Sequence, residues 1–135
     1  MEGPSRAGPV KLDLLPGTLD LLILQILSLE PTHGLGVARR LQDFSEQVLQ
    51  VPQGSLYPAL KRLEAKGWVE SDWGLSENNR RAKYFSLTAA GEAWRVHQVE
   101  RWYRLSRAVS QTLAATEVPG SRRSLPTGDS WEPQE

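Results

Sequence analysis

The stretch VPQGSLYPALKRLEAKGW, residues 51–68, decides the fold. Leu56, Leu60 and Leu63 recur at i, i+4 and i+7, the period of one helix face. Pro58 stands among them, and a proline in a helix interior costs about 3 kcal/mol. A late start relieves the conflict. With the N-cap at Gly54 or Ser55, Pro58 falls in the first turn, where few backbone N–H groups have an intrahelical partner to lose. The proline also discourages helical geometry at Tyr57. Lys66-Gly67 closes the helix, a basic residue followed by a glycine suited to the C′ position.

Upstream, two further helices are expected. LDLLILQILSL (19–29) leaves almost no polar face, so a helix from Thr18 to Leu29, opened by Pro16-Gly17-Thr18 and closed before Pro31, reads as central and buried. It is too short to span a bilayer, and no small-residue cleavage site follows it. After a turn at His33-Gly34, a second helix runs from Gly36 to Gln47, with Val37, Leu41, Phe44 and Val48 facing inward.

Downstream the period changes. WVESDWGL (68–75) and AKYFSLT (82–88) are rich in aromatic and β-branched residues and flank the polar tip SENNRR, a β-hairpin pattern with Asn78-Asn79 at the turn. Thr88 then caps a helix reaching Ala114, roughly 40 Å long. The fold is thus mainly α with one small β-hairpin: a winged helix-turn-helix with an added arm. Residues 1–13 are expected as a disordered N-terminal arm, 14–88 as the winged helix, 89–115 as a dimerisation helix and 116–135 as a disordered tail rich in Pro, Gly and Ser.

In such a fold the third helix enters the DNA major groove by its N-terminal end. Gln53, Ser55, Tyr57 and Pro58 stand there, and Lys61 and Arg62 project away from the leucine anchor. The hairpin tip adds Asn78, Asn79, Arg80, Arg81 and Lys83, suited to phosphate contact and to sensing groove width. Either group alone fits an ordinary solvated surface; together, at winged-helix spacing, they point to DNA. Charge agrees: the 135 residues are neutral overall, yet residues 34–115 carry twelve Lys/Arg against eight Asp/Glu.

The segments LLPGTLDLLILQIL (14–27), HGLGVARRLQ (33–42), GSLYPALKRLEAKGW (54–68) and SENNRRAKYFSLTAAG (76–91) resemble the PadR family of transcriptional regulators, in order and at family spacing. The hairpin suggests the short-chain branch, whose genes often sit beside those for ABC-type permeases. The resemblance implies a homodimeric repressor on a palindromic operator, released when an effector binds. It places DNA contacts on Ser55, Tyr57, Pro58 and Lys61, with the basic wing on Arg80, Arg81 and Lys83. Tyr57 divides between a structural ring and a hydroxyl offered to phosphate. Arg39 and Arg40 are candidates for backbone contact, and His33 is a capping or packing residue.

The long helix carries Trp94, Trp102, Leu105, Val109 and Leu113 on one line and Val96, Val99 and Tyr103 on another. One small domain does not cover both lines, and two-fold pairing with a second copy is the simplest cover. Some relatives hold planar aromatic compounds between paired arms, against a tryptophan placed like Trp102. Aromatic residues at helical spacing are first of all interface core, and an aromatic effector is the second reading.

The chain has no cysteine, which removes disulfides and thiol chemistry and fits cytoplasmic residence. There is no P-loop, dinucleotide fingerprint, nucleophile elbow or HExxH pair, and His33 and His97 lack triad partners. Glu64, Glu70 and Asp72 are expected as solvated carboxylates. No enzyme, metal or cofactor is implied. The rival is a winged helix used only for protein–protein contact, which should show exposed apolar anchors on the third helix and wing.

Overall fold

The computed structural model describes residues 8–11 and 16–120. Its elements are β1 (Val10–Lys11), α1 (Pro16–Leu29), β2 (Thr32–His33), α2 (Gly34–Phe44), β3 (Leu49–Gln50), α3 (Gln53–Ala65), β4 (Val69–Leu75), β5 (Arg81–Leu87) and α4 (Ala89–Ala114). Strands β2, β5 and β4 form an antiparallel sheet in that order, with Ser71 opposite Phe85 and Leu75 opposite Arg81. Helices α1 and α2 both pack against β5, and α3 packs against α1, α2 and β4. The chain divides into two compact units within α4, after Glu100.

The core of the first unit is built from the apolar periods of the sequence. Leu19, Ile23, Leu24, Ile26 and Leu27 of α1 meet Val37 and Leu41 of α2, and Leu56, Ala59, Leu60 and Leu63 of α3. Val69 and Phe85 close it from the sheet.

The α2 helix ends three residues earlier than its period suggested. Ser45 caps it, and Glu46 and Gln47 follow with φ of 53° and 71°. These left-handed residues turn the chain at once, with the Gln47 N–H donating to the Gln42 carbonyl at 2.7 Å. Phe44 and Val48, expected inside, are therefore 64 % and 51 % exposed. The backbone after the turn is used locally: β3 pairs in parallel with Val10–Lys11, two residues the sequence placed in a disordered arm. Residues 1–7 and 12–13 of that arm, residues 14–15 at the start of the expected winged helix, and residues 121–135 of the tail lie outside the described residues.

Pro58 also sits differently. The α3 helix opens at Gln53, with Pro52 in extended backbone as the residue before it and no side-chain cap. The Pro52 carbonyl instead accepts from both Ser55 and Leu56 N–H groups. Pro58 is thus in the second turn and gives up the bond a residue there makes to the Gly54 carbonyl. Packing offsets the loss. Leu56, Leu60 and Leu63 are buried almost completely, each contributing about 2 kcal/mol, against about 3 kcal/mol for the proline.

The C-terminus of α3 follows the sequence closely. Gly67 has φ of +79°, its N–H donates to Glu64 and the Trp68 N–H reaches back to Leu63, a Schellman closure. The Thr88 hydroxyl donates to the Gly67 carbonyl at 2.7 Å and accepts the Gly91 N–H at 3.0 Å, which caps α4 and ties its start to the end of α3. Gly91 makes the approach feasible: a Cβ there would lie 2.0 Å from the Trp68 carbonyl oxygen, which is backbone and accepts the Thr88 N–H at 3.1 Å.

Gly91→Ala should therefore lower stability by about 3 kcal/mol in urea unfolding, the upper end for overpacking. A loss below about 1 kcal/mol would mean that the start of α4 shifts freely off Trp68.

Candidate nucleic-acid interface

The inward residues of α3 fix which residues remain outside. Gln53, Gly54, Tyr57, Pro58, Lys61 and Arg62 form the exposed face, while Ser55 is half-buried at its edge. The Tyr57 ring is held rather than loose. It packs on Gly34 at the start of α2, where a Cβ would come within 2.6 Å of Cε1 and 2.8 Å of the hydroxyl. Tyr57 stays 47 % exposed, so it both braces the helix-turn-helix and presents surface.

The cations divide into two groups. Arg62 donates to the buried Asp20 of α1 at 2.5 Å, a pairing that locks α3 on α1. Arg62 is among the residues expected at DNA; one of its guanidinium nitrogens pairs with Asp20, which would otherwise be a buried charge without a partner, while its side chain stays 42 % exposed. Lys83 lies 3.6 Å from Glu64 of α3, and the Arg81 guanidinium stacks 4.5 Å above the Trp73 ring. Among the described residues, Lys61 and Arg80 make no ion pair. Asn79 takes φ of +61° at the hairpin tip, where its N–H donates to the Ser76 carbonyl and exposes Asn78, Asn79 and Arg80.

A second tether runs from the tip to α2. The His33 Nδ1 accepts the Gly36 N–H at 3.0 Å and caps α2, which leaves the proton on Nε2. Nε2 then donates to Glu77 Oε1 at 3.2 Å, and Arg39 reaches Glu77 Oε2 at 3.4 Å. The Glu77 carboxyl is held below its ordinary range, first by its own backbone N–H and then by the His33 hydrogen bond. Sequence reasoning took His33 as a cap but missed Glu77; a carboxylate in a basic tip, forty-four residues away, gave no local sign of its partner. Arg40 bonds Glu30 and its carbonyl, so neither arginine of α2 is simply solvated.

Comparison with known proteins agrees with this geometry. The family model of PadR-like transcriptional regulators matches residues 23–96, more than half of the chain. The chain belongs to the PadR-like family. A PadR-like transcriptional regulator from Bacillus cereus is 26 % identical and superimposes with a TM-score of 0.66, covering 77 % of this chain and 99 % of its own. A PadR family transcription regulator from Clostridium difficile is 28 % identical, with a TM-score of 0.64 and coverage of 73 % and 100 %. An uncharacterized protein of Lysinibacillus sphaericus is 23 % identical over 108 residues, 80 % of this chain and 99 % of that one. This PadR-like chain is a DNA-binding transcriptional regulator and not an enzyme.

In this regulator the four tryptophan and apolar positions expected on an interchain surface separate. Trp94 stacks on Trp68 of its own domain, centroids 4.3 Å apart, and joins the core cluster, so one ring face is already committed. Trp102, Leu105 and Val109 are exposed on α4. No helix among the described residues is long and apolar enough to cross a membrane.

The Glu77 tether carries a pH signature. A carboxylate with a depressed folded pKa stabilises above its unfolded value near 4.5 and loses that contribution as pH falls through the folded value. Thermal melts of wild type and Glu77→Gln should therefore converge as pH drops below 4.5, with wild type the more stable at pH 6. A stability gap that stays constant from pH 6 to acid would remove the carboxylate from the tether.

Proposed function

We propose that this regulator is a homodimeric repressor that binds a palindromic operator upstream of its own or a neighbouring transporter operon, in the cytoplasm. The observation that carries the DNA-facing part is the placement of Lys61 on the outer face of α3 and of Asn79, Arg80 and Arg81 on the hairpin, all exposed. Gln53, Ser55, Tyr57 and Pro58 meet base edges and backbone at the start of α3. Lys61 and Arg80 supply phosphate contacts, and Arg81 and Lys83 add positive potential on the hairpin. Arg62 acts from behind, by positioning α3 through Asp20.

Two apolar surfaces support the dimer. Leu22, Ile26, Leu29, Leu41 and Phe44 line an open groove of about 260 Å³ on α1 and α2. Val96, Trp102, Tyr103, Leu105, Val109 and Leu113 are exposed on α4. A second copy's α4 seated in the groove covers both sets, which accounts for the exposure of Phe44. A small aromatic effector bound against Trp102 would act by favouring a dimer geometry that misplaces the two α3 helices.

The contrast between two neighbouring cations tests the interface. In fluorescence anisotropy on a duplex from just upstream of the gene, Lys61→Ala should weaken binding and lower the log–log salt slope by about one. Arg62→Ala should instead cost about 2 kcal/mol of stability, with Asp20 left unpaired, and leave that slope in place in the folded protein. Equal salt slopes for wild type and Lys61→Ala would end the phosphate assignment. For the dimer, Leu105→Asp with Val109→Asp should halve the mass seen by light scattering at micromolar protein; an unchanged mass would move the interface elsewhere.

A further inference from the structure

The hairpin has an apolar surface that the contacts above leave unused. Cross-strand partners in an antiparallel ladder lie on one face of the sheet. Trp73 is paired with Lys83 and Leu75 with Arg81, so these four share a face, and it is the face that carries the buried Val69 and Phe85. The same face is turned toward α3, because the Ser71 hydroxyl on it donates to Glu64 at 2.6 Å. Beyond Ser71 the helical cover ends. Trp73 is 58 % and Leu75 61 % exposed.

Two features distinguish this surface from an accidental one. The opposite face is braced: the Tyr84 ring meets His33 edge-on at 5.3 Å, and its hydroxyl donates to the Leu75 carbonyl at 2.8 Å. The backbone beneath the exposed pair is therefore held in place. The apolar pair is also bordered by cations, with Arg81 stacked on Trp73 and Lys83 opposite it, while Lys83 neutralises the nearest α3 carboxylate, Glu64. Stacking limits the rotamers of Arg81 and presents its donors in a fixed direction.

We propose that Trp73 and Leu75 form an apolar shelf that lies against the deoxyribose walls of the DNA minor groove beside the bases met by α3, with Arg81, fixed on the Trp73 ring, reaching the adjoining phosphate. This rests on the DNA-binding reading of α3 and deepens it. A wall of alternating sugar and phosphate matches an apolar surface edged by positive charge. Because groove width depends on sequence, the shelf reads base composition at positions that no side chain of α3 reaches.

The test uses the full chain, with a duplex selected by the wild-type protein from a random pool and a shuffled duplex as control. Trp73→Ala is expected to weaken binding to the selected duplex about tenfold, within the range of one lost base-pair preference, without changing the salt slope. Trp73→Phe keeps a ring and should retain most of the affinity. Replacing flanking adenines by 2,6-diaminopurine adds an amino group in the minor groove and leaves the major-groove pattern intact. It should weaken wild type and leave Trp73→Ala unaffected. Should Trp73→Ala fail to fold, the Trp73→Phe and diaminopurine arms decide alone: wild-type binding indifferent to the added amino group overturns the shelf. Wild-type affinity and flank preference in a folded Trp73→Ala also overturn it, and leave the face to a protein partner. A wild-type chain that selects no sequence overturns the DNA-binding reading itself, so the two failures are told apart.

Discussion

The α1 helix has almost no polar face, and its Leu19, Ile23, Leu24, Ile26 and Leu27 need cover from several directions at once. Helices α2 and α3 and strand β5 supply it. That demand places α3 with its leucines inward, and an amphipathic helix so anchored has no choice about what it shows to solvent. The outer side of α3, the side proposed to meet DNA, is the remainder of a packing problem solved around α1. The one carboxylate buried in α1, Asp20, sits where it can take Arg62. A charge pair of this kind adds little net stability, but removing one partner is costly, so it holds α3 to a single position.

Around that core, a few polar contacts fix the working parts. The Gly67 carbonyl, the Thr88 hydroxyl and the Gly91 N–H form one chain of hydrogen bonds that joins the end of α3 to the start of α4. The close seat of Gly91 on the Trp68 backbone and the stacking of Trp94 on the Trp68 ring both hold this junction. At the other end of the hairpin, His33 serves α2 with one nitrogen and the wing tip with the other. Both α3 and the wing are accordingly tied to the helical frame by side chains that are spent in doing so.

This spending decides how the positive charge is used. Arg39, Arg40, Arg62, Lys83 and Arg95 each have a carboxylate within 4 Å, as the geometry of an ion pair requires. The pairs at the surface are individually weak, so they orient more than they stabilise. Among the described residues, Lys61, Lys66, Arg80, Arg81, Arg101, Arg104 and Arg107 make no ion pair. Lys61 on the outer face of α3, with Arg80 and Arg81 at the wing tip, gives a neutral chain a local positive field there without a basic composition.

The sequence by itself determined the order of the four helices and the hairpin, the leucine face of α3, the glycine closure at Gly67, the Thr88 cap and the Asn79 turn, but not the two-residue strands β1, β2 and β3. Each depends on residues within a few positions of one another, through side-chain period or backbone conformation. It misplaced the start of α3 and the end of α2, because the choice between neighbouring registers is made by burial: Leu56 to Leu63 go inside even at the cost of a proline in the second turn. Only the tertiary structure decided that Arg62 belongs to Asp20, that Trp94 belongs to Trp68, that Phe44 is left outside and that Glu77 holds the wing. Arg62 and Asp20 are forty-two positions apart, and the sign and spacing of charges along a chain say nothing about which will meet. Ion pairs and ring stacks are set by distances of a few ångströms between elements far apart in sequence, and those distances exist only once the core has closed.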